Sequence, residues 1–160
     1  MSGFRIRDAR GSDREAIGAL WRELMDHHEA LDPRFTVAPD GMQKYIRHAL
    51  EMMRSRDGRV LVAESLETGE VIGYLMAEIQ RRPPLALPGL YGFISDACVQ
   101  EVWRHRGVGR ALFEETRRWF LARKATAIEL YVAEANPAAN GFWQTMGLQP
   151  FLRLMHLDLP

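Results

Sequence analysis

The sequence has a single cysteine, no excess of either charge and no long apolar run. The one cysteine, Cys98, excludes an internal disulfide, and its apolar surroundings predict a buried packing thiol. Lys plus Arg and Asp plus Glu each number 21, so no net field attracts nucleic acid or a membrane surface. The first residues have no apolar core of a signal peptide, and no apolar run reaches about 18 residues, which favours a cytoplasmic protein.

The composition and the apolar periodicity are those of an ordinary globular protein. Hydrophobic residues make up 47% and charged residues 26%, which suits one domain over residues 1–160 with a sizeable core. Apolar runs predict strands at residues 4–7, 60–63, 71–79, 91–99, 127–132 and 151–159. Three- and four-residue apolar spacing predicts helices at residues 12–28, 40–54, 108–124 and 136–147. The order β-α-α-β-β-β-α-β-α-β predicts a mixed α/β fold.

Two helix starts have capping signals. Ser12, followed three residues later by Glu15, predicts a capping box at the first helix. Asn136 followed by Pro137 predicts the N-cap and the first residue of the last helix.

Residues 102–113, V-W-R-H-R-G-V-G-R-A-L-F, lie between a predicted buried strand and a predicted helix. Gly107 and Gly109 let the backbone approach a ligand closely, and the first N–H groups of a helix have no partner inside it. The first helical turn holds Arg110 and no carboxylate, although Asp and Glu normally favour that end of the helix dipole. The stretch therefore predicts a phosphate-binding turn.

Three other interpretations of this turn make different demands on its residues. A P-loop is excluded, because no Gly-Lys pair occurs in the chain. A Rossmann fingerprint lacks its third glycine, and Glu129, twenty residues after Gly109, falls inside a predicted strand rather than at its end. A tight turn with a solvated basic rim stays open as the alternative without a ligand.

Two motifs resemble those of the GCN5-related N-acetyltransferases. R-x-x-G-x-G, formed by Arg104, Gly107 and Gly109, resembles the acyl-CoA pyrophosphate motif of that family. Downstream, the family's N-x-x-A-x-x-F-Y-x-x-x-G-F is matched by Asn136, Ala139, Phe142, Trp143, Gly147 and Leu148. The resemblance covers residues 4–159 and implies the family fold, in which the fourth and fifth strands splay apart around the pantetheine arm.

The resemblance implies an acetyl-CoA-dependent N-acetyltransferase that acts on a primary amine of a small molecule or peptide, by direct attack in a ternary complex. It implies acetyl-CoA as cosubstrate, an amine acceptor and no metal. The residues that it assigns to CoA binding are Ala97, Cys98 and Val99 at the end of the fourth strand, Arg104, His105, Arg106, Gly107, Val108, Gly109 and Arg110 in the turn, and Asn136, Ala139 and Trp143 after the fifth strand.

Asp96 is the candidate catalytic residue. Members of the family that resemble diamine acetyltransferases carry Glu-Asp on the fourth strand, where this chain has Ser95-Asp96. A lysine-like amine is mostly protonated near neutral pH, so we expect Asp96 to accept its proton or to bind its ammonium group. Two alternatives stay open: Asp96 only hydrogen-bonds neighbouring backbone, or Glu78 on the adjacent strand is the base.

Trp143 stands where the family usually has the tyrosine that protonates the leaving thiolate. An indole N–H donates a hydrogen bond but is not a practical proton source near neutral pH. The proton then comes from water, from Tyr131 or from no specific group. Together with Ser95, this departure motivates an alternative of another class, an acyl-CoA-binding sensor with little or no turnover; a nucleotide-binding module is a third.

The remaining polar clusters carry little signal. Adjacent residues on a helix point to different faces, so His27, His28 and Glu29 predict a polar helix end that borders the acceptor pocket rather than a metal site. The first two helices and the loop at residues 81–90 are expected to form that pocket, which leaves the acceptor unspecified. Edge strands of this fold often pair, so we expect a homodimer, with neither nucleic acid nor membrane as a partner.

Overall fold

The computed structural model describes residues 3–87 and 89–160 and contains one sheet of five strands with four α-helices. The elements, in chain order, are β1 (Phe4–Asp8), α1 (Arg14–Leu31), α2 (Gly41–Arg54), β2 (Gly58–Ser65), β3 (Val71–Arg81), β4 (Leu90–Val99), α3 (Val108–Ala122), β5 (Ile128–Leu130) and α4 (Pro137–Thr145). Each predicted element except the last strand is present, so the mixed α/β prediction is confirmed. No helix in the two described ranges combines the length and apolarity needed to cross a membrane.

The two central strands are buried on both faces. Because successive side chains of a strand point to opposite sides, alternate residues of β2 and β3 enter two separate cores. One core contains Val60, Val62, Tyr74 and Met76, and the other contains Leu61, Ala63, Leu75 and Ala77. This explains why both strands are continuous apolar runs rather than alternating ones.

Helices cover the two faces unequally. The apolar stripes of α1 and α2, represented by Ile17, Trp21 and Ala49, pack in the first core. The stripe of α3, represented by Val108, Leu112 and Phe120, packs in the second. The strand β4 therefore runs between two helical layers, and the turn that follows it leads directly into α3.

The strand pairing changes from antiparallel to parallel at the β5 edge of the sheet. β1 to β4 pair antiparallel in sequence order, whereas β5 pairs parallel to β4. That last pairing covers three positions only, from Gly92 opposite Ile128 to Ile94 opposite Leu130. Where it stops, the β3–β4 register shifts by one residue at Ser95. Beyond Ile94 the two strands diverge, which is the splay that the sequence resemblance implies.

The start of α1 differs from the prediction. The helix begins at Arg14, after a short 3₁₀ turn at Gly11–Asp13, and its N-cap residue is Asp13 rather than Ser12. The Asp13 carboxylate accepts from Arg10 N at 2.7 Å and pairs with Arg7 Nη1 at 2.7 Å. The predicted capping box of Ser12 and Glu15 is wrong, because a partly buried ion pair with β1 fixes the chain entry instead.

The predicted last strand at residues 151–159 is also wrong for this structure. Residues 149–160, which we call the tail, have no helical or strand conformation. The apolar alternation that predicted a strand is present, but a strand forms only where its backbone groups find a partner. The preceding strand prediction, residues 127–132, is shortened to the three residues that pair with β4.

Gly92 is required where β4 passes under α3. A Cβ at this position would lie 2.4 Å from the Phe120 ring, which is 1% exposed and has no room to move. We expect Gly92→Ala to lower the free energy of unfolding by about 1–3 kcal/mol through overpacking. Urea denaturation measures this loss of stability.

Gly141→Ala in α4 is the matched control: nothing lies within 4 Å of its added Cβ, so it should be neutral or stabilising by up to about 1 kcal/mol. Equal stability of wild type and Gly92→Ala would contradict this packing.

Candidate active site

The turn after β4 is a concave surface of backbone N–H groups. A short 3₁₀ turn, Glu101–Trp103, leads to His105 and Gly107, whose φ angles of 59° and 85° are both left-handed. The first helical hydrogen bond of α3 runs from Ala111 N to Gly107 O at 2.9 Å. Within the described residues, none of the backbone N–H groups of residues 105–110 donates a hydrogen bond. Such a set of free donors at a helix start suits an anion.

The two glycines of the turn have different roles. A Cβ at Gly107 would meet nothing within 4 Å, so this position is open to a ligand, and its left-handed φ favours glycine. A Cβ at Gly109 would lie 3.2 Å from the Phe142 ring, so this glycine lets α4 pack closely against α3. The sequence grouped both as ligand contacts; only the fold separates the open one from the packed one.

The arginines of the turn are not equivalent either. Arg104 donates from Nε to Val99 O at 3.0 Å and lies 3.3 Å from Glu23 Oε1 in α1, so it fastens the turn to the strand and to α1. Arg106 lies over the Trp103 ring, with Cζ 5.5 Å from the ring centroid. Arg106 and Arg110 form no ion pair with any described residue, which leaves both charges available to an anion.

A cleft of about 90 Å³ lies between the diverging ends of β4 and β5. It is lined by Leu24, His28, Ile94, Ser95, Asp96, Ala97, Leu130, Tyr131, Val132, Ala133, Asn136, Ala139 and Trp143. Five predicted site residues therefore meet there, three of them from the α4 segment. Cys98 and Val99 continue β4 toward the turn and do not line the cleft. From Ser95 onward the β5-facing edge of β4 has no strand partner among the described residues.

Asp96 is the one carboxylate in that lining and belongs to a hydrogen-bonded group. The Tyr45 hydroxyl lies 3.2 Å from Asp96 Oδ2 and 3.0 Å from the Tyr74 hydroxyl. A carboxylate only accepts, and a hydroxyl has one proton, so Tyr45 donates to ionised Asp96 and accepts from Tyr74. Burial raises the pKa of Asp96 to about 6, against the opposing effect of the Tyr45 hydrogen bond.

The sequence did not identify Tyr45 and Tyr74 as site residues. Tyr45 lies within the helix predicted at residues 40–54, and its ring stacks on that of Trp21, with the ring centroids 4.6 Å apart. Burial raises the pKa of both phenols well above the ordinary value, so both remain protonated donors. The available signal was chemical: a tyrosine at a core position needs a partner for its hydroxyl.

The surroundings of three other residues named as candidates from the sequence are as follows. Asn136 is buried and caps α4, accepting at Oδ1 from Ala139 N at 3.0 Å, as the sequence predicted. Cys98 is buried, and burial raises its thiol pKa to about 12, so the thiol stays protonated and is a poor nucleophile. Glu78 accepts from Gln80 Nε2 at 2.8 Å and lies outside the cleft lining.

The outer wall of the cleft is aromatic. Trp143 packs edge-on against Phe113 and Phe142, with centroids 6.0 and 4.8 Å apart. Tyr131 packs against Phe93 at 5.5 Å and is 83% exposed. Tyr131 is the only tyrosine among the lining residues. The tryptophan thus shapes one wall, while the phenol on the β5 side is accessible from solvent.

His28 forms the opposite wall. Its ring packs against Phe35 at a centroid distance of 5.2 Å, which holds it in place at the C-terminal end of α1. Burial, and secondarily the neighbouring His27, lowers the pKa of His28 below its ordinary value. At neutral pH the ring is therefore uncharged and does not repel a cationic amine. The sequence placed this region beside the acceptor pocket, and the ring does line the cleft.

A larger cavity of about 160 Å³ lies between the end of α3 and β5. Its lining is mostly apolar, with Arg117 as the one ionisable side chain among Phe120, Leu121, Ala125, Thr126, Ala127 and Ile128. It has no acid, no base and no set of free backbone donors. Of the two cavities, the smaller cleft is therefore the candidate active site.

The Acetyltransferase (GNAT) family matches the chain over residues 21–148, a range that includes both the turn and the cleft. No curated protein sequence matches the chain significantly. Solved structures match along nearly their whole length. The BH1408 protein of Bacillus halodurans, as a tetramutant, is 24% identical with a TM-score of 0.85, over 97% of this chain and 99% of its own.

Two further solved structures have named substrates. The aminoglycoside N-acetyltransferase AAC(6')-Iy, in complex with CoA, is 17% identical with a TM-score of 0.75, over 99% of this chain and 96% of its own. The glucosamine-6-phosphate N-acetyltransferase of Arabidopsis thaliana is 19% identical with a TM-score of 0.73, over 99% of both chains. At these identities the likeness shows the fold alone. Because the family match spans most of the sequence and the fold agrees with it, this chain belongs to the acetyltransferase (GNAT) family.

Proposed function

We propose that residues 1–160 form a single N-acetyltransferase domain that transfers the acetyl group of acetyl-CoA to a primary amine of a small molecule or peptide. The observation that carries the proposal is the course of β4, which places the buried Asp96 carboxylate in the cleft and then leads into the turn whose backbone N–H groups are free among the described residues. Family membership implies acetyl-CoA as the cosubstrate.

The backbone donors of residues 105–110 hold the pyrophosphate, and Arg106 and Arg110 add charge. This leaves the pantetheine arm to follow the unpaired edge of β4, past Val99 and Ala97 toward Asp96. Asn136, Ala139 and Trp143 form the facing side. The free N–H groups of that β4 edge polarise the thioester carbonyl as an oxyanion hole does.

The reaction is a direct attack. An acceptor that arrives as an ammonium ion first loses one proton to water. The neutral amine nitrogen then forms a bond to the carbonyl carbon, the carbon–sulfur bond breaks, CoA leaves as a thiolate, and the second amine proton passes to Asp96. A pKa of about 6 keeps Asp96 ionised at neutral pH, yet close enough to the working pH to accept that proton. The Tyr45 hydroxyl accepts a hydrogen bond from the Tyr74 hydroxyl and donates its own proton to the Asp96 carboxylate, which it thereby orients.

The leaving thiolate is protonated by Tyr131 or by water. Tyr131 is favoured over Trp143 because a phenol has a proton to give and this one lines the cleft. Protonation need not be strongly catalysed, since an ordinary thiol has a pKa of about 8.5. Trp143 shapes the wall.

The acceptor is a cation before reaction, and the cleft suits one. Its lining has a single carboxylate, an uncharged His28 and otherwise apolar or aromatic side chains. The solved structures that share this fold include enzymes named for aminoglycosides and for glucosamine-6-phosphate. Amino sugars therefore belong in the first set of acceptors to be tried.

An acyl-CoA-binding sensor without turnover is the second candidate, favoured by Trp143 at the position of the usual proton donor and by Ser95 before Asp96. A thiol-release assay with acetyl-CoA separates the two. The acceptors are polyamines, aminoglycosides, amino sugars, amino acids and peptides with free N-termini. We expect release that depends on one acceptor class. CoA binding in a parallel calorimetric titration, with no release for any acceptor, would favour the sensor.

Gly107→Asp should weaken CoA binding by at least about 100-fold, because a carboxylate would enter the anion site and displace two or more charge-assisted hydrogen bonds of about 1.5–3 kcal/mol each. Isothermal titration measures the affinity. Gly69→Asp, in the β2–β3 turn, is the matched control: its φ of 73° is as strained, and its added Cβ also meets nothing within 4 Å. Unchanged affinity in Gly107→Asp would remove the assignment of the phosphate turn.

Asp96→Asn should lower kcat/KM by about 10²–10⁴-fold, the range expected for loss of a general base. Because Asp96 accepts a proton only when ionised, wild-type kcat/KM should rise as the pH rises through about 6, and this limb should be absent in the variant. The control is Glu78→Gln, which removes a carboxylate from the neighbouring strand and should keep the limb. Loss of the limb in Glu78→Gln, with its retention in Asp96→Asn, would transfer the role to Glu78.

A further inference from the structure

An aromatic surface lies beside the cleft, outside both cores. Its rings belong to Tyr91 and Phe93 of β4 and to Tyr131 after β5, and none of the three packs in either core. On β3 the first core ends at Met76, so the helices that cover this face do not bury the rings. Phe93 is half-buried, and its ring contacts that of Tyr131, which lines the cleft, with centroids 5.5 Å apart.

The register shift at Ser95 places Phe93 on the same sheet face as Asp96. Residues three apart on a regular strand point to opposite faces, but β4 has one extra residue at the shift. Asp96 pairs with Met76, and Phe93 pairs with Glu78. These two partners are two residues apart on β3 and share a face, so Asp96 and Phe93 share it as well. The ring therefore lies one strand repeat, about 7 Å, from the carboxylate.

Polar side chains flank the Phe93 ring on both neighbouring strands. Its cross-strand partners are Glu78 on β3 and Glu129 on β5. Glu78 accepts from Gln80 Nε2 at 2.8 Å, and Glu129 pairs with Arg82 Nη1 at 2.5 Å. Each carboxylate is thus held in place by a partner, and its remaining lone pairs can accept from a further donor.

The hydrogen-bonded network continues to Tyr91, which lies opposite Gln80 in the β3–β4 pairing. The Tyr91 hydroxyl donates to Gln80 Oε1, and the Arg82 guanidinium lies over the Tyr91 ring, with Cζ 4.2 Å from the centroid. The polar groups beside Phe93 are therefore fixed to one another and to the sheet. Such an arrangement suits a site that orients a ligand.

We infer that Phe93 determines the acceptor specificity of the site by stacking against a hydroxylated ring of the acceptor, such as the pyranose ring of an amino sugar. The inference rests on the proposed function, because the reacting amine at Asp96 is what places the ring over Phe93. A pyranose ring offers an apolar C–H face to the phenyl ring, and the hydroxyls at its rim can donate to Glu78 and Glu129. The ring with its attached amine spans the one strand repeat between Phe93 and Asp96.

A linear polyamine fits this surface less well. It has no flat face to set against the Phe93 ring and no hydroxyls for the flanking acceptors. Charge alone does not select it either, because Arg82 already neutralises Glu129. The ring of the acceptor, rather than its number of positive charges, is therefore the feature that the surface recognises.

Calorimetric titration of the CoA-bound protein with kanamycin and with spermine tests the inference. Kanamycin is built of hydroxylated rings, and spermine is a linear amine with the same number of amino groups. In about 0.3 M salt, where attraction between exposed charges is screened, kanamycin should bind at least about tenfold more tightly. Phe93→Leu should weaken kanamycin binding about 3–10-fold and leave spermine binding unchanged, because leucine is apolar but has no ring face.

Phe93→Tyr keeps the ring and should bind kanamycin as wild type does, which separates stacking from a general loss of structure. Phe4→Leu is the matched control: it makes the same change at a half-buried strand residue that packs in the second core, on the other face of the sheet, and should keep both affinities. The inference is overturned if kanamycin binds no more tightly than spermine, if Phe93→Leu keeps the wild-type affinity, or if Phe93→Tyr binds as weakly as Phe93→Leu.

The titration uses CoA without its acetyl group, so it does not depend on turnover. Kanamycin binding that requires the Phe93 ring, with no thiol release from acetyl-CoA for any acceptor, would support the specificity role and contradict the acetyltransferase proposal. Thiol release with other amines, while kanamycin fails to bind, would support the acetyltransferase proposal and overturn the role of Phe93.

Discussion

The divergence of β4 from β5 after three paired residues is the constraint on which the rest of the site depends. β4 stays paired with β3 on both sides of the register shift at Ser95, while among the described residues its other edge has no strand partner from Ser95 onward, so the backbone groups of that edge face a cleft. The shift lies where β4 loses β5 as its second neighbour. A fully paired β5 would fill the cleft, cover Asp96 and leave no path from the start of α3 to that carboxylate.

The electrostatics of the cleft follow from its depth. Burial disfavours the charged form of Asp96, while the Tyr45 hydrogen bond favours it, and burial is the larger effect. The same burial keeps the phenols protonated and the Cys98 thiol neutral. At the start of α3, beyond the end of β4, the reverse holds: among the described residues, backbone N–H groups there are free, Arg106 and Arg110 form no ion pair, and the first helical turn has no carboxylate. Positive charge therefore collects after β4, while the one carboxylate of the cleft lining lies within β4.

Local features of the site could be predicted from the sequence. Gly107 at the helix start, the cap at Asn136 and the order of the elements all depend on residues within a few positions of one another. The errors arose where a distant residue competed with a local signal. Asp13, paired with Arg7 of β1, replaces the Ser12 cap. The apolar alternation of the tail was read correctly as a pattern, but the tail pairs with no strand among the described residues.

The sequence by itself determined the class of the fold, the glycine turn that leads into α3 and the presence of a carboxylate on β4. It did so because helix starts, glycine turns and apolar periodicity are short-range properties. Only the tertiary structure decided that Tyr45, 51 residues from Asp96, donates to it, that Gly109 serves packing while Gly107 stays open, and that His28 faces the cleft. Those features depend on which surfaces meet when the two helical layers close on the sheet, and no local pattern encodes that choice.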